Sequence, residues 1–493
     1  MKINFWIAAI LLMITTVVQA AEATGPLRQS SGQASTDLRT GKVAGRVGYM
    51  SGTLVAQRAD GTVKVLGPKS EVMAGDMLIT AKDSYAQVKM DDGAQMTLRP
   101  NSNLRIEAFQ FSQDAPQADN AIFRLLKGGF RSVTGLIGKR GNADAYKVHA
   151  ATATIGIRGT DFSSRLCATQ DCKDDDEAKA THEVKPPVTQ SQVVGRVMLV
   201  QGELSAKEED GKVRKLALGG PVYEGDALTT GKKSYAVVAF RDEGRISLQE
   251  STVFQVEKFK YDRAASQENA VLKLLKGGVR VVTGLIGRAN HDNYQFKVAT
   301  ATIGIRGTGF DAWCNGPCSS GAGNPGATEA DPQDGAGVYV WAGEVALISD
   351  CATAGTTAGT TAGSCPMQIV GINQAAIIAR DTGKPLQILA IPSSIMNNNT
   401  PRPDSIPLDM EKLFGTESNA GDPGLYVTVH NGNVILVQGN NVLDLGRGET
   451  GFTNKDVLAR LSTMPAFMGA DMQINLQNGN NPIMNKNGCV IGP

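Results

Sequence analysis

From Gly45 to Thr160, apolar residues recur at every second position more often than at every third or fourth. Val47 and Tyr49, then Leu54 and Ala56, alternate with polar or small residues. The stretch from Tyr85 to Met90 alternates in the same way, Asp92-Gly93 turns the chain, and Met96, Leu98, Leu104 and Ile106 resume the pattern. A period of two is that of a half-buried strand. Val63 and Val65 follow Asp60-Gly61, a dipeptide that favours a tight hairpin because both positions tolerate positive φ. The β-branched and small-residue run from Val148 to Ile157 predicts a further strand. Helices are expected only as short pieces, at Asn120 to Lys127, at Asn269 to Lys276, and at Lys455 to Leu461 after Thr453. The pattern therefore predicts an all-β chain.

The pattern then repeats. GRVGYMSGTLVAQRADGTVKVL begins at Gly45 and GRVMLVQGELSAKEEDGKVRKL at Gly195, 150 residues later. EVMAGDMLITAKDSYAQVKM matches PVYEGDALTTGKKSYAVVAF, and LLKGGFRSVTGLIG from Leu125 matches LLKGGVRVVTGLIG from Leu274. Each copy closes on ATATIGIRGT, at 151–160 and 299–308. Long similarity in fixed order implies duplication of one folding unit. Between the copies, residues 173–192 form an acidic, proline-bearing linker whose charge run reads as a solvated tether. A further segment, 312–475, reads as a C-terminal β extension with loops. Its strings GVYVWAGEVALI and GLYVTVHNGNVILV each predict a hairpin, and residues 476–493 form a loose Asn/Gly-rich tail.

The first twenty residues carry Lys2, an apolar run from Phe5 to Val18 and the small residues Val18 and Ala20. They read as a secretory signal cleaved after Ala20, because the run is shorter than the roughly 20 apolar residues of a spanning helix. No membrane span is expected in the mature chain, and the expected location is the periplasm, with cell surface or secretion as the alternatives. Lys plus Arg number 49 against 48 Asp plus Glu, so no global field draws in nucleic acid. Glycine reaches 56 residues and aromatics only 5%, a composition that suits short strands and turns. The cysteine spacing in an exported chain suggests three local disulfides: Cys167 with Cys172, Cys314 with Cys318, and Cys351 with Cys365, leaving Cys489 over. A metal site is not expected, because His149, His182, His291 and His430 lie beside none of these pairs.

Gly75-Asp76-Met77-Leu78-Ile79-Thr80 and Gly225-Asp226-Ala227-Leu228-Thr229-Thr230, the following SYAxV strands, the Asp-Gly hairpin and the closing TATIGIRGTxF resemble the FecR domain family. The resemblance covers about 45–165 and 193–311. LGRGETGF from Leu445 is similar to segments that continue such domains in stand-alone exported members. The resemblance implies β-solenoid-like or rolled β modules in the periplasm that make protein contacts. The family's namesake signals from an outer-membrane transporter to a cytoplasmic sigma factor. That role is not carried over, because a signal peptide stands where its cytoplasmic segment and span would be.

No motif for nucleophilic, zinc or phosphate chemistry is present: no GxSxG, HExxH or GxxxxGK. No catalytic, cofactor or metal residues are assigned, and the chain is expected not to be an enzyme. Arg158 and Arg306 sit in apolar strings beside Gly159-Thr160 and Gly307-Thr308. They are read as structural ion pairs, with Asp76 and Asp226 as partners. Lys127-Gly-Gly and Lys276-Gly-Gly are read as chain turns rather than anion nests. The expected function is that of an envelope protein binding or scaffolding an unidentified protein partner. The alternatives are an envelope polysaccharide binder and a signalling component with a separate membrane-anchored partner.

Overall fold

The computed structural model describes residues 41–168, 172, 192–261, 268–298, 301–315, 335–349, 366–378, 385–388, 399–416 and 421–469, apart from Ala59, Gly141, Ala143 and Thr152. The expected signal, the linker 173–191, Cys318, Cys351, Cys365, Cys489 and the tail 476–493 lie outside them. The regular structure of the described chain is nearly all strand, as the alternation predicts. It forms two fifteen-stranded sheets with the same strand order, one for each copy. Each sheet rolls around its own apolar core. Strand neighbours arise from hairpins and distant returns, not from successive stacked coils, so the solenoid-like form of the expectation is not what the sheets show.

One long strand organises each roll. Asn120–Val133 pairs first with Asn103–Gln110 and Tyr146–His149, then with Gln95–Leu98 and Thr154–Cys167. It changes partners by bending at Gly128, where φ is +72° and a Cβ would stand 2.4 Å from the Ser102 hydroxyl. Only glycine fits that corner. The Lys127-Gly-Gly segment is therefore a bend inside a strand, not a chain turn. The same holds for Asn269–Val282, bent at Gly277.

None of the three short helices expected from the sequence forms: 120–127 and 269–276 are strand, and 455–461 is a turn followed by a strand. In 120–127, Ala121, Phe123 and Leu125 are buried while Ile122, Arg124 and Leu126 are not, which is a period of two. The Leu125-Leu126 doublet imitates a helical face, but Leu126 is 45% exposed. Leu458–Leu461 likewise pairs with Thr450–Thr453 across a turn at Asn454, where the amide of Asn454 donates to the Val457 carbonyl at 3.0 Å. The run from Val148 to Ile157 is divided by a tight hairpin between Tyr146–His149 and Thr154–Cys167.

The segment 312–475, expected as a single extension, is split between the sheets. Gly335–Ser349 closes the second roll by pairing along Ala301–Asn315. Gly424–Gln438, its counterpart in length and sequence, closes the first roll by pairing along Thr154–Cys167. Copy two and its closing strands are thus inserted into the sheet of copy one. Between the two closing elements, 399–406 lies across the second sheet. Arg280 donates to the Thr400 carbonyl at 2.7 Å, Ser247 to that of Pro401 at 2.7 Å, and the Arg402 guanidinium sits 3.7 Å from the Trp341 ring centroid. Cys167 and Cys172 form the expected disulfide, beside Tyr426, Phe452 and Phe467. Cys314 is also disulfide-bonded, and its partner lies outside the described residues.

A chain ending at residue 423 should lose the first roll alone. It removes Leu425, Val427, Val429, Val434, Leu436 and Leu445, all 0% exposed in the first core. At about 1.5–3 kcal/mol each, that loss matches the whole stability of an ordinary domain. Limited proteolysis with mass spectrometry should find 42–167 degraded and 193–388 protected. Protection of both would show that the closing strands are dispensable.

Candidate docking site between the two modules

The repeated Gly-Asp turns, Arg-Gly-Thr corners and inter-module contacts divide the polar residues into two groups. In the Gly-Asp turns, Asp76 accepts the Met73 amide at 2.8 Å and Asp226 the Tyr223 amide at 2.9 Å, while Gly75 and Gly225 turn with positive φ. Burial raises both carboxyls above the usual range, against those amide bonds and a neighbouring arginine. Arg58 stands 3.8 Å from Asp76, and Arg214 stands 2.5 Å from Asp226. Each comes from the neighbouring hairpin that folds over the turn, and strand patterning does not encode the direction its side chain takes. The side chains of Arg158 and Arg306 lie outside the described ones. Gly159 and Gly307 adopt positive φ where their strands bulge. Thr160 and Thr308 lock those corners, their amides donating to the Thr134 and Thr283 hydroxyls at 2.9 and 3.0 Å.

The charged centre lies elsewhere, where the strand Val193–Gln201 of copy two meets the turn 446–449 that precedes Thr450–Thr453. Glu449 is buried and pairs with Arg196, whose side chain is 0% exposed. Arg460 lies 3.3 Å and Arg241 3.8 Å from the same carboxylate, and the Gly446 amide donates to it at 2.9 Å. Burial alone would raise the Glu449 carboxyl. Arg196, Arg460, the Gly446 amide and Arg241 together hold it below the ordinary glutamate value. Burial also brings the Arg460 guanidinium down to about 10, with Glu449 opposing. The turn is seated closely: a Cβ on Gly446 would stand 2.5 Å from the Tyr223 hydroxyl. Tyr223 accepts the Arg447 amide at 3.1 Å, and its ring lies 4.0 Å from the Arg447 guanidinium and 4.7 Å from that of Arg214. Burial lifts its phenol to about 12. Phe414, on the helix Met410–Phe414, packs against Val193 and Tyr223, with the Arg241 guanidinium 4.9 Å from its ring.

The second closing element has the same turn. Gly371 donates to the Gln374 side chain at 3.0 Å, as Gly446 does to Glu449. Gln374 is exposed, so of the two turns only 446–449 is docked. Arg46 occupies in copy one the place of Arg196, and its side chain is 56% exposed and paired with Glu71. Sequence reasoning missed the site, although its signals were present: an arginine repeated at 46 and 196, and a turn that carries Glu in one closing element and Gln in the other.

A second cluster looks chemical. Ser163 and His430 share a hydrogen bond at 2.8 Å, beside an Arg131–Asp161 ion pair at 2.7 Å. Ser163 is 0% exposed, and Asp161 is held by both nitrogens of the Arg131 fork. Burial and then Arg131 bring the His430 imidazole down to about 4, so it is neutral at pH 7. At the matching place in the second sheet, Asp311 receives the Trp341 indole N–H at 3.2 Å. The cluster is a packed polar patch. Among the described residues no group of three or more His, Cys, Asp or Glu converges as metal ligands would.

Two measurements probe these clusters. Glu449→Gln keeps the turn geometry that Gln374 shows but leaves the arginines without their charge, so denaturant unfolding should show a loss of about 3 kcal/mol. Adding Arg196→Met should restore part of it, and an unchanged single variant would remove the cluster from its role. For His430 the folded pKa lies below the unfolded value, so the unfolded chain binds more protons between pH 6.5 and 4 and stability falls on acidification. The wild type should lose about 2 kcal/mol more than His430→Leu between pH 7 and pH 5. Parallel pH profiles would contradict a buried neutral imidazole.

Comparison with known proteins matches the family described as FecR protein to residues 76–184 and 226–330. The matches begin at the two Gly-Asp turns, so the strands from Val43 and Val193 precede them. No curated protein matches. Two crystal structures of "a putative anti-sigma factor" from Parabacteroides distasonis ATCC 8503 align at 12% and 11% identity with TM-scores of 0.22, over 34% of this chain and 62% of theirs. The chain thus spans less than two thirds of the length of those proteins. The family matches fall one in each sheet, and the chain carries two tandem FecR-like domains.

Proposed function

We propose that this is an exported, non-enzymatic envelope protein that binds a protein partner through the FecR-like domain of copy one. One observation carries the reading. In copy two, the face made by Val193, Arg196, Tyr223 and the hairpin 204–215 grips a polypeptide turn. Copy one turns the same face to solvent. Its hairpin strand Val63–Leu66 is an edge strand, pairing among the described residues only with Leu54–Gln57, and exposes Val63 at 62% and Val65 at 70%. Unpaired backbone flanked by apolar side chains is a template for strand addition. The FecR match supports a place in envelope signalling, with a membrane-anchored protein as the partner. The polysaccharide alternative calls for exposed aromatic rings, and among the described residues the exposed large hydrophobics are aliphatic apart from Tyr49.

In-cell crosslinking in a Gram-negative host, with the protein carrying its own N-terminal segment, tests this. A recurrent envelope protein should be captured by the wild type and lost about tenfold from Val63→Asp/Val65→Asp, with folding unchanged. Capture indifferent to that variant, or retention on the glycan fraction instead, would sink the reading.

A further inference from the structure

A cleft of about 1510 Å³ lies between the modules, walled by the segment 212–221 of copy two, the closing strands of copy one and the segment 406–413. Lys and Arg outnumber Asp and Glu along its walls by eight to three. Several of those arginines are occupied at the junction. Lys139, Lys212, Lys215 and Lys412 are exposed and make no ion pair. Asp409 caps its own helix by accepting the Lys412 amide at 2.9 Å, and Glu208 is held by Arg214 and Arg447. Burial raises the Asp444 carboxyl above the usual range, against an Asn433 hydrogen bond. The cleft therefore presents free positive charge without matching free negative charge.

Its walls are also apolar where solvent reaches them. Val213 is 63%, Leu218 70% and Val442 63% exposed, among the most exposed large hydrophobics of the described chain. Two sheet edges meet here. Among the described residues Val213–Lys215 pairs only with Leu204–Lys207, and Asn441–Leu445 only with Gly424–Gln438. On the first edge Arg214 turns back to Asp226, while Val213 and Lys215 are exposed two residues apart, hence on one face. A strand added there would place an apolar and an acidic side chain, two residues apart, opposite them.

We infer that this cleft binds an extended, acidic peptide segment of a partner protein, seated along a free strand edge. Its carboxylates meet Lys212, Lys215, Lys139 and Lys412, and its apolar side chains rest on Val213, Leu218 and Val442. An anionic glycan would share the charge but would leave the strand edges unpaired, and the one aromatic wall, Tyr223, is already covered by two guanidinium groups. The inference deepens the protein-binding reading by adding a second contact with its own chemistry.

The probe is a short fluorescein-labelled peptide of Val-Thr-Glu-Thr repeats, followed by anisotropy with the full chain. Binding should weaken as salt rises from ~50 to ~500 mM. Lys212→Glu/Lys215→Glu and, separately, Val442→Asp should each weaken it about tenfold at unchanged thermal stability, while Lys82→Glu outside the cleft should not. A Val-Thr-Lys-Thr peptide should not bind. Absence of binding at low salt, indifference to both cleft variants, or equal variant-sensitive binding of an oligouronate would overturn the inference. Partner capture that still depends on Val63 and Val65 would then show that only the cleft, and not the wider reading, has failed.

Discussion

A single carboxylate holds the two modules together. Glu449 lies out of water among Arg196, Arg460 and Arg241. An isolated buried charge of either sign would be strongly unfavourable. Each member therefore requires the others, and the set forms only when the first strand of copy two, the closing turn of copy one and Leu458–Leu461 are all in place. Such a cluster adds less net stability than an apolar plug of the same shape would. What it adds is geometric specificity. The Arg196 guanidinium is shared between the Glu449 carboxylate and the Gly219 carbonyl, and the Arg460 guanidinium between that carboxylate and the carbonyls of Lys412 and Leu413. These fixed directions set where one roll sits on the other.

Chain order makes the arrangement cooperative. Copy one remains an incomplete sheet until the last closing strands arrive, and these follow copy two in sequence. Thr154–Cys167 consequently has an unpaired edge along most of its length for as long as copy two is being made. The segment 399–406, hydrogen-bonded to the second sheet, and the helix Met410–Phe414, packed through Phe414 on Val193 and Tyr223, direct the return before the chain reaches Gly424. Copy two is thus a template for completing copy one, and the junction is the place where that completion is registered.

Much of this was legible in the sequence, and the unread part has a physical reason. Alternation and the Asp-Gly turns placed the strands because each reflects a local property of a few residues. The duplication was plain because it preserves order over long stretches. Strand pairing between Thr154–Cys167 and Gly424–Gln438 was not legible, since any alternating strand can pair with either open edge. The resemblance between GVYVWAGEVALI and GLYVTVHNGNVILV hinted that both do the same task, but not that they do it in different sheets. Asn120–Val133 was misread at its start because Leu125-Leu126 breaks the alternation just before the Gly128 bend. Near Asp76 and Asp226 the described arginines are Arg58 and Arg214; the hairpins that supply them lie near in sequence, but their side-chain direction depends on how the hairpin folds over the turn.

The two closing turns differ in one decisive group, and that difference bears on why assembly stops within the chain. The turn at 371–374 reproduces the three backbone bonds that the turn at 446–449 makes within its own closing element, so either could in principle seat on a module face. The faces and turns are not interchangeable, however. The face of copy two offers Arg196, Tyr223 and Arg241 to a turn bearing Glu449. At the same places copy one has Met73, Asp91 and an Arg46 that is already paired with Glu71, and the free turn carries uncharged Gln374. A head-to-tail contact between molecules would therefore lack the carboxylate, the tyrosine and one arginine, and would set Asp91 where Arg241 gives its charge. A repeated module with matching ends tends toward open filaments. Among the described residues, the charge that locks copy one to copy two has no equivalent at either outer end.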